Sequence, residues 1–345
     1  MAASFETRRI GATQLDLPVF GLGTAHIGEL YGLVEESASE AMLSAAWDAG
    51  VRYYDTAPWY GRGLAEHRLG GLLRTRSRSE FLVSTKVGRT LHRPSDPRTF
   101  DRGPWAGGLN FEVRFDYSYD GIMRSYEQAL QRLALDTVDA LVIHDMDSGY
   151  HDPDVLDAHA RDLKSSGVKA LQELKSSNDI GAYGIGINMA EQLNSLAPEL
   201  ELDFALVAMP YTLLDQSTLH TGMKACLERN ISVIIGAPFA SGVLATGSKG
   251  DAHYAYGAAS EAVLTKVKGL ERVCEAHGVS LQAAALQFPL AHPAVVSIIP
   301  GAAKAAEVTA NVASTQQPIP GAFWADLKSA DLIHPDAPVP VGPEG

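Results

Sequence analysis

Three short apolar runs each end in an ionisable residue: Tyr53-Tyr54-Asp55, Val83-Ser84-Thr85-Lys86 and Val142-Ile143-His144. A carboxylate, an ammonium and an imidazole can handle protons if the chain brings them together. In a parallel sheet closed into a barrel, the C-terminal ends of neighbouring strands open on one mouth, so Asp55, Lys86 and His144 fall within reach of each other. Five residues after Asp55 stands Tyr60, in the turn-like stretch Pro58-Trp59-Tyr60-Gly61. A free phenol, with a pKa of about 10, is a poor acid or base at neutral pH. An adjacent ammonium favours the phenolate and is expected to lower that pKa, while a carboxylate anchors the ammonium. The four residues read as one proton-transfer device: Tyr60 exchanges the proton, Lys86 tunes it, Asp55 holds Lys86 and His144 orients the substrate oxygen. Each has a plainer reading alone, since a Lys or Asp closing a strand is usually the first solvated residue of a loop.

The elements that must position these residues follow from the hydrophobic period. Short Val-, Ile- and Phe-rich runs at 19–21, 52–55, 81–86, 140–144, 182–187, 204–209, 232–237 and 295–299 alternate with segments of helical period such as 37–49, 119–133, 168–176, 218–229 and 264–277. Eight strands with crossover helices predict an α/β fold, a (β/α)8 TIM barrel, as a single domain over 1–345 with its core at about 19–315. Two stretches break the repeat, 88–117 and 238–260, the second carrying Gly242, Gly247, Gly250 and Gly257. They follow strands three and seven, emerge at the mouth, and are candidate lids. The Pro- and Ala-rich tail, about 316–345, reads as an irregular wrap over the barrel mouth or a partly disordered end.

With 41 acidic against 28 basic residues, the formal charge of −13 disfavours nucleic acid as a partner. Cys226 and Cys274 have neither disulfide nor metal spacing and read as buried free thiols. Residues 1–9 are polar, and no apolar run is long enough to span a membrane, so a cytoplasmic protein without membrane contact is expected. His144-Asp145-x-Asp147 and His151-Asp152 do not place ligands on one face, so no metal is expected. A small-molecule substrate is the implied partner, and a homo-oligomer is compatible with the reading.

Asp55-Thr56-Ala57 with Tyr60-Gly61, Ser84-Thr85-Lys86, the strand ending in His144, and Tyr211-Thr212-Leu213-Leu214-Asp215 together resemble the aldo-keto reductase family over roughly 19–312. Further stretches resemble its NAD-linked aldose 1-dehydrogenase and pyridoxal 4-dehydrogenase branch: Phe115-Asp116-Tyr117-Ser118-Tyr119-Asp120-Gly121, His144-Asp145, Gly184-Ile185-Gly186-Ile187-Asn188, Tyr211-Thr212-Leu213-Leu214-Asp215-Gln216 and Ala237-Pro238-Phe239-Ala240-Ser241-Gly242-Val243-Leu244-Ala245-Thr246-Gly247. The resemblance implies a nicotinamide-dependent oxidation of an aldose of L-fucose, L-galactose or D-arabinose type to a lactone. Alternatives within it are pyridoxal oxidation and NADPH-dependent reduction of an aldehyde or ketone.

No dinucleotide fingerprint opens a Rossmann fold, because Gly21-Leu22-Gly23-Thr24-Ala25-His26 breaks the pattern at His26. The resemblance instead assigns the cofactor to Gly23, Thr24 and Asp55 at the first two strand ends, to Asn188 for the carboxamide and to Tyr211 for stacking on the nicotinamide. It assigns Pro238, Gly242 and Leu244 of the seventh loop to the pyrophosphate. Gly301, Ala302, Lys304, Glu307 and Asn311 open a helix whose free N–H groups suit a phosphate. NADP-preferring relatives place a Lys and an Arg where this chain has Gly301 and Glu307, and a carboxylate there repels a 2′-phosphate, so NAD is expected over NADP. The plainer reading is that Glu307 offsets the helix dipole. His26, Trp59, Trp105 and His144 are the expected substrate contacts. Two competing readings are a Schiff-base aldolase using Lys86, against which Asp55 argues by keeping the ammonium charged, and a cofactor-sensing or interaction barrel with vestigial catalysis.

Overall fold

The computed structural model describes residues 4–30, 32–196, 200–249, 253–254 and 257–341. Eight strands form one parallel sheet: β1 (Leu22–Gly23), β2 (Tyr53–Asp55), β3 (Leu82–Val87), β4 (Ala140–His144), β5 (Ala182–Ile187), β6 (Phe204–Val207), β7 (Ser232–Ile235) and β8 (Val295–Ile298). Their order around the sheet is sequential, and bridges from Phe20 to Ile298 and Gly23 to Gly301 close β1 on β8. Every residue of β4 and β5 is buried, as expected of strands with helices outside and packed side chains inside.

The barrel interior is filled by Tyr53, Val142, Phe204, Leu206, Ile234, Val296 and Ile299. An N-terminal hairpin, Thr7–Arg9 paired with Asp16–Pro18, adds Ile10 and Leu17 to that cluster. Gly184 is needed for this packing, because a Cβ there would meet the Phe204 carbonyl oxygen at 2.3 Å. Around the sheet run helices that include Glu36–Asp48, Leu64–Leu73, Tyr119–Leu133, Val168–Ser176, Leu281–Leu290 and Ala305–Thr315.

The departures from expectation lie mainly in the connections. The first strand is at Leu22–Gly23 rather than 19–21, since Phe20 pairs only through its bridge to Ile298. The helix expected over 218–229 begins at Gly222, because Thr218 donates its hydroxyl hydrogen to the Pro210 carbonyl and stays in the loop. The 88–117 stretch contains an antiparallel hairpin, Arg89–His92 with Glu112–Phe115. In 238–260 there are a short helical turn, Val243–Thr246, and a small hairpin, His253–Tyr254 with Gly257–Ala258; Gly250 lies outside the described residues. The tail is not irregular throughout: Gly321–Ser329 is a helix that buries Phe323, Trp324 and Leu327. Its three apolar residues sit between Pro320 and a polar segment, which masks the helical period. Cys226 and Cys274 are free and buried, and burial pushes their thiols up to about 12 and about 11, so both are unreactive. Among the described residues no helix is long and apolar enough to cross a membrane.

Candidate active site

Asp55 and His144 end β2 and β4, Lys86 is the penultimate residue of β3, and all three lie at the same end of the barrel, nearly fully buried. Lys86 Nζ donates to Asp55 Oδ1 at 2.5 Å and to the Thr56 carbonyl at 2.9 Å. Ser84 Oγ donates to the other carboxylate oxygen of Asp55 at 2.7 Å, and Tyr53 OH lies 2.9 Å from Ser84 Oγ. The partly buried Tyr60 completes the group: Lys86 Nζ is 4.6 Å from its ring centre, and the His144 ring stands edge-on at 6.0 Å. All four residues expected from the sequence to act together are therefore brought together.

Tyr60 opens a turn in which Gly61, Arg62 and Gly63 all have positive φ (62°, 54° and 99°). Gly61 also lies flat on the neighbouring segment, where an added Cβ would come within 2.5 Å of the Gly28 carbonyl oxygen. These two glycines allow the chain to reverse tightly enough to turn the phenol toward Lys86.

One electrostatic expectation is overturned. The Tyr60 hydroxyl is pushed well above its ordinary pKa, first by burial and then by the negative charges of Asp55 and Asp145. The ammonium of Lys86 is already matched by Asp55, so it does not favour the phenolate in the resting site. Tyr60 is thus a protonated acid at neutral pH. His144 is held well below its usual pKa by burial and by the cations Arg89 and Lys86, and is neutral. The Lys86 to Asp55 pair also removes the basis of the aldolase reading, since an ammonium held by a carboxylate is no nucleophile.

A second buried ion pair was not anticipated. Arg89 forms an ion pair with Asp145, and its guanidinium lies 4.8, 4.6 and 4.7 Å from the ring centres of Trp59, Phe115 and Tyr150. Asp145 Oδ2 is also 3.2 Å from His144 Nε2. The signal available in the sequence was an Arg just beyond the β3 lysine and an Asp just after the β4 histidine, but no spacing rule links them.

The expected substrate residues separate into two places. Trp59 and Trp105 stand 5.5 Å apart, ring centre to ring centre, and Trp105 is 6.0 Å from the Tyr60 ring. His26 instead packs beside Gly301, where its Nδ1 is buried without a protein partner and burial holds its pKa down against the opposing pull of Glu307. It belongs with the expected cofactor residues on the β1 and β8 side.

Three expected cofactor contacts are otherwise engaged. Thr24 is fully buried and donates its hydroxyl hydrogen to the Asp55 carbonyl at 2.9 Å. The Asn188 amide donates to Asp145 Oδ1 at 3.0 Å and Asp147 Oδ2 at 3.2 Å, because those carboxylates need donors in a buried setting. Tyr211 is fully buried between Phe288 and His292 and offers no open face for stacking. Leu244 is likewise core, while Pro238 and Ala302 are buried and Asn311 nearly so. The adjoining rim, where β1 meets β8, carries Gly23 bridged to Gly301, Gly242 with φ 104° and open space around it, exposed Lys304, and the N-terminus of helix Ala305–Thr315, whose free N–H groups are of a kind that bind phosphate. Glu307 Oε2 accepts from Ala303 N at 2.8 Å, so the carboxylate does fold back on the first turn of that helix.

Away from this mouth, His220, His334 and Asp336 bring ligand-type atoms within 4.8 Å of one another. His334 Nδ1 accepts from the Asp336 backbone N–H at 3.1 Å, and His220 Nε2 lies 3.3 Å from Asp336 Oδ2, so these side chains already bond within the group.

A sequence profile described as the Aldo/keto reductase family matches residues 19–332. A pyridoxal 4-dehydrogenase of Microbacterium luteolum is 37% identical over 95% of this chain and 98% of its own. A D-threo-aldose 1-dehydrogenase of a Pseudomonas species is also 37% identical, over 93% and 96%. The L-galactose dehydrogenase of Arabidopsis thaliana is 28% identical over 90% and 88%. The fold superposes on the holo form of aldo-keto reductase AKR11C1 from Bacillus halodurans with a TM-score of 0.70 at 23% identity, covering 94% of this chain and 96% of that one. With a profile match across most of its length and two near-full-length relatives above one-third identity, the chain belongs to the aldo/keto reductase family of oxidoreductases.

Proposed function

We propose that this enzyme oxidises the anomeric hydroxyl of an aldose to a lactone, with NAD as the hydride acceptor. The observation that carries the reading is the convergence of Tyr60, Lys86, Asp55 and His144 in one buried mouth walled by Trp59 and Trp105. Aromatic faces of this kind suit the apolar face of a sugar ring. The relative that acts on D-threo-aldoses supports the substrate class, and the equally similar pyridoxal relative makes pyridoxal the second substrate to try. Bound oxidised nicotinamide supplies the hydride acceptor and a positive charge. The rest falls to the protein: His144 orients the substrate oxygen, Tyr60 as phenolate takes the hydroxyl proton, and the C=O bond forms as the C–H bond breaks with its electron pair. Because the resting phenol is protonated, oxidation must first form the phenolate and therefore rises with pH through the neutral range. Carbonyl reduction uses the proton already present and stays flat there.

The test follows reduced-nicotinamide absorbance with an aldose panel and pyridoxal, NAD and NADP in parallel, for wild type and Tyr60→Phe. Sugar-dependent NAD reduction that is lost in the variant supports the reading. A signal with pyridoxal alone moves the assignment to the second substrate. Tight cofactor binding without Tyr60-dependent turnover of any substrate refutes catalysis and leaves the cofactor-sensing reading.

A further inference from the structure

Two residues beyond Tyr60, Arg62 holds a left-handed backbone (φ 54°) that a non-glycine residue adopts only at a cost. Its side chain shows what holds it there. The guanidinium is buried and donates to three backbone carbonyls of the long connection after β3: Nε to Arg102 at 3.1 Å, Nη1 to Phe111 at 3.0 Å and Nη2 to Asp101 at 3.5 Å. The rings of Trp59 and Phe100 flank it at 5.1 and 4.8 Å. The same connection is fastened again beside Arg62, where Leu109 N donates to the Gly61 carbonyl at 2.8 Å. Glu29 fixes the far side: its carbonyl accepts from Ala106 N at 2.9 Å and its carboxylate from Gly108 N at 3.0 Å. Between these fastenings sits Trp105, buried against Trp59 and Tyr60, with its indole N–H lacking any protein acceptor. An unpaired buried donor beside the reacting phenol is matched when a ligand oxygen accepts from it.

We propose that Arg62 is a positioning residue that clasps the 93–111 connection over Tyr60 and thereby sets substrate affinity through Trp105. The inference rests on the substrate binding at Tyr60, as proposed above. A guanidinium suits the site because its three nitrogens each face a different carbonyl and its plane lies between two rings, whereas an ammonium gathers its three donors on one atom. The clasp also couples the pocket wall to the catalytic turn, since Arg62 and Tyr60 belong to the same tight reversal.

The variants are Arg62→Asn, whose short side chain tolerates the left-handed backbone but reaches none of the carbonyls, and Arg62→Lys, which keeps the charge. Trypsin reads the state of the connection directly, because Arg98 and Arg102 lie within it and neither is followed by proline. Both variants are expected to be cut there roughly tenfold faster or more than wild type, as local opening becomes easier. Acrylamide is expected to quench a tryptophan signal that disappears in Trp105→Phe. With the aldose, KM is expected to rise about tenfold while kcat changes little, the pattern of lost uniform binding. If cleavage and quenching match wild type in Arg62→Asn, the clasp does not exist and the inference is overturned. If the connection opens but KM stays fixed, or kcat falls in step with kcat/KM, the role in affinity is refuted. Should no sugar turn over in wild type, the proposed function fails, and cleavage and quenching still decide the clasp.

Discussion

Removing the charge of Lys86 while leaving that of Asp55 tests whether the two form a unit. At 2.5 Å the pair is worth about 7 kcal/mol of gross attraction at an effective dielectric constant of about 20. Taking each ion out of water costs several kcal/mol, so the net worth of the intact pair is small. An orphaned member is another matter. Both side chains are 2% exposed, so Lys86→Met strands a carboxylate that water cannot reach, with only Ser84 Oγ left to donate to it. That loss is expected to be about 3–5 kcal/mol, and Asp55→Asn, which strands the ammonium against the Thr56 carbonyl, should cost a similar amount. The double variant removes both charges and should cost only about 1–3 kcal/mol, less than either single change, giving a coupling of several kcal/mol. Urea unfolding of the four proteins, followed by tryptophan fluorescence, measures each corner of the cycle. Additive costs would refute the argument, because they would mean that each charge finds its own solvation without the other.

Acid should destabilise the fold through its buried imidazoles. Burial holds His292 down to about 4 from 6.5, and its Nδ1 accepts from Ala294 N at 3.2 Å. The unfolded chain therefore takes up a proton below pH about 6.5 that the folded chain refuses, and the contribution present above that pH is lost as pH falls toward about 4. This amounts to about 3 kcal/mol for His292, with His144 acting in the same direction, and His292→Gln should flatten the decline in urea midpoints between pH 7 and 4.5. For the cofactor, Glu307→Gln keeps an oxygen for Ala303 N but removes the charge. If that carboxylate repels a 2′-phosphate by about 1 kcal/mol, the ratio of kcat/KM for NADP to that for NAD should rise about fivefold. An unchanged ratio would leave Glu307 as a cap only.

The tetrad was legible because strand ends in a parallel barrel are spatial neighbours, so Asp55, Lys86 and His144 needed only their places in the strands. The charge state of Tyr60 was not, since it depends on how deeply the ring is buried and on Asp145, a residue no spacing ties to it. Tyr211 and Thr24 show a related limit. Their residue types suit a ligand, but burial against Phe288 and a hydrogen bond to the Asp55 carbonyl are decided by packing. The helix Gly321–Ser329 escaped because one and a half turns of apolar pattern bounded by prolines look like a loop until helix Glu261–His277 is there to pack on.

The mouth holds its strongest charges as two short, opposed pairs, Lys86 with Asp55 and Arg89 with Asp145. A few ångströms outside the mouth such pairs largely cancel, and within about a Debye length an approaching molecule meets the field of a chain with formal charge −13. A neutral sugar feels almost none of it, so its encounter rate should barely respond to ionic strength. A phosphorylated sugar approaches against the field and is slowed most in dilute buffer. The two pairs thus leave the long-range field to the rest of the chain, so removing both charges of either pair should leave the ionic-strength dependence of ligand encounter unchanged.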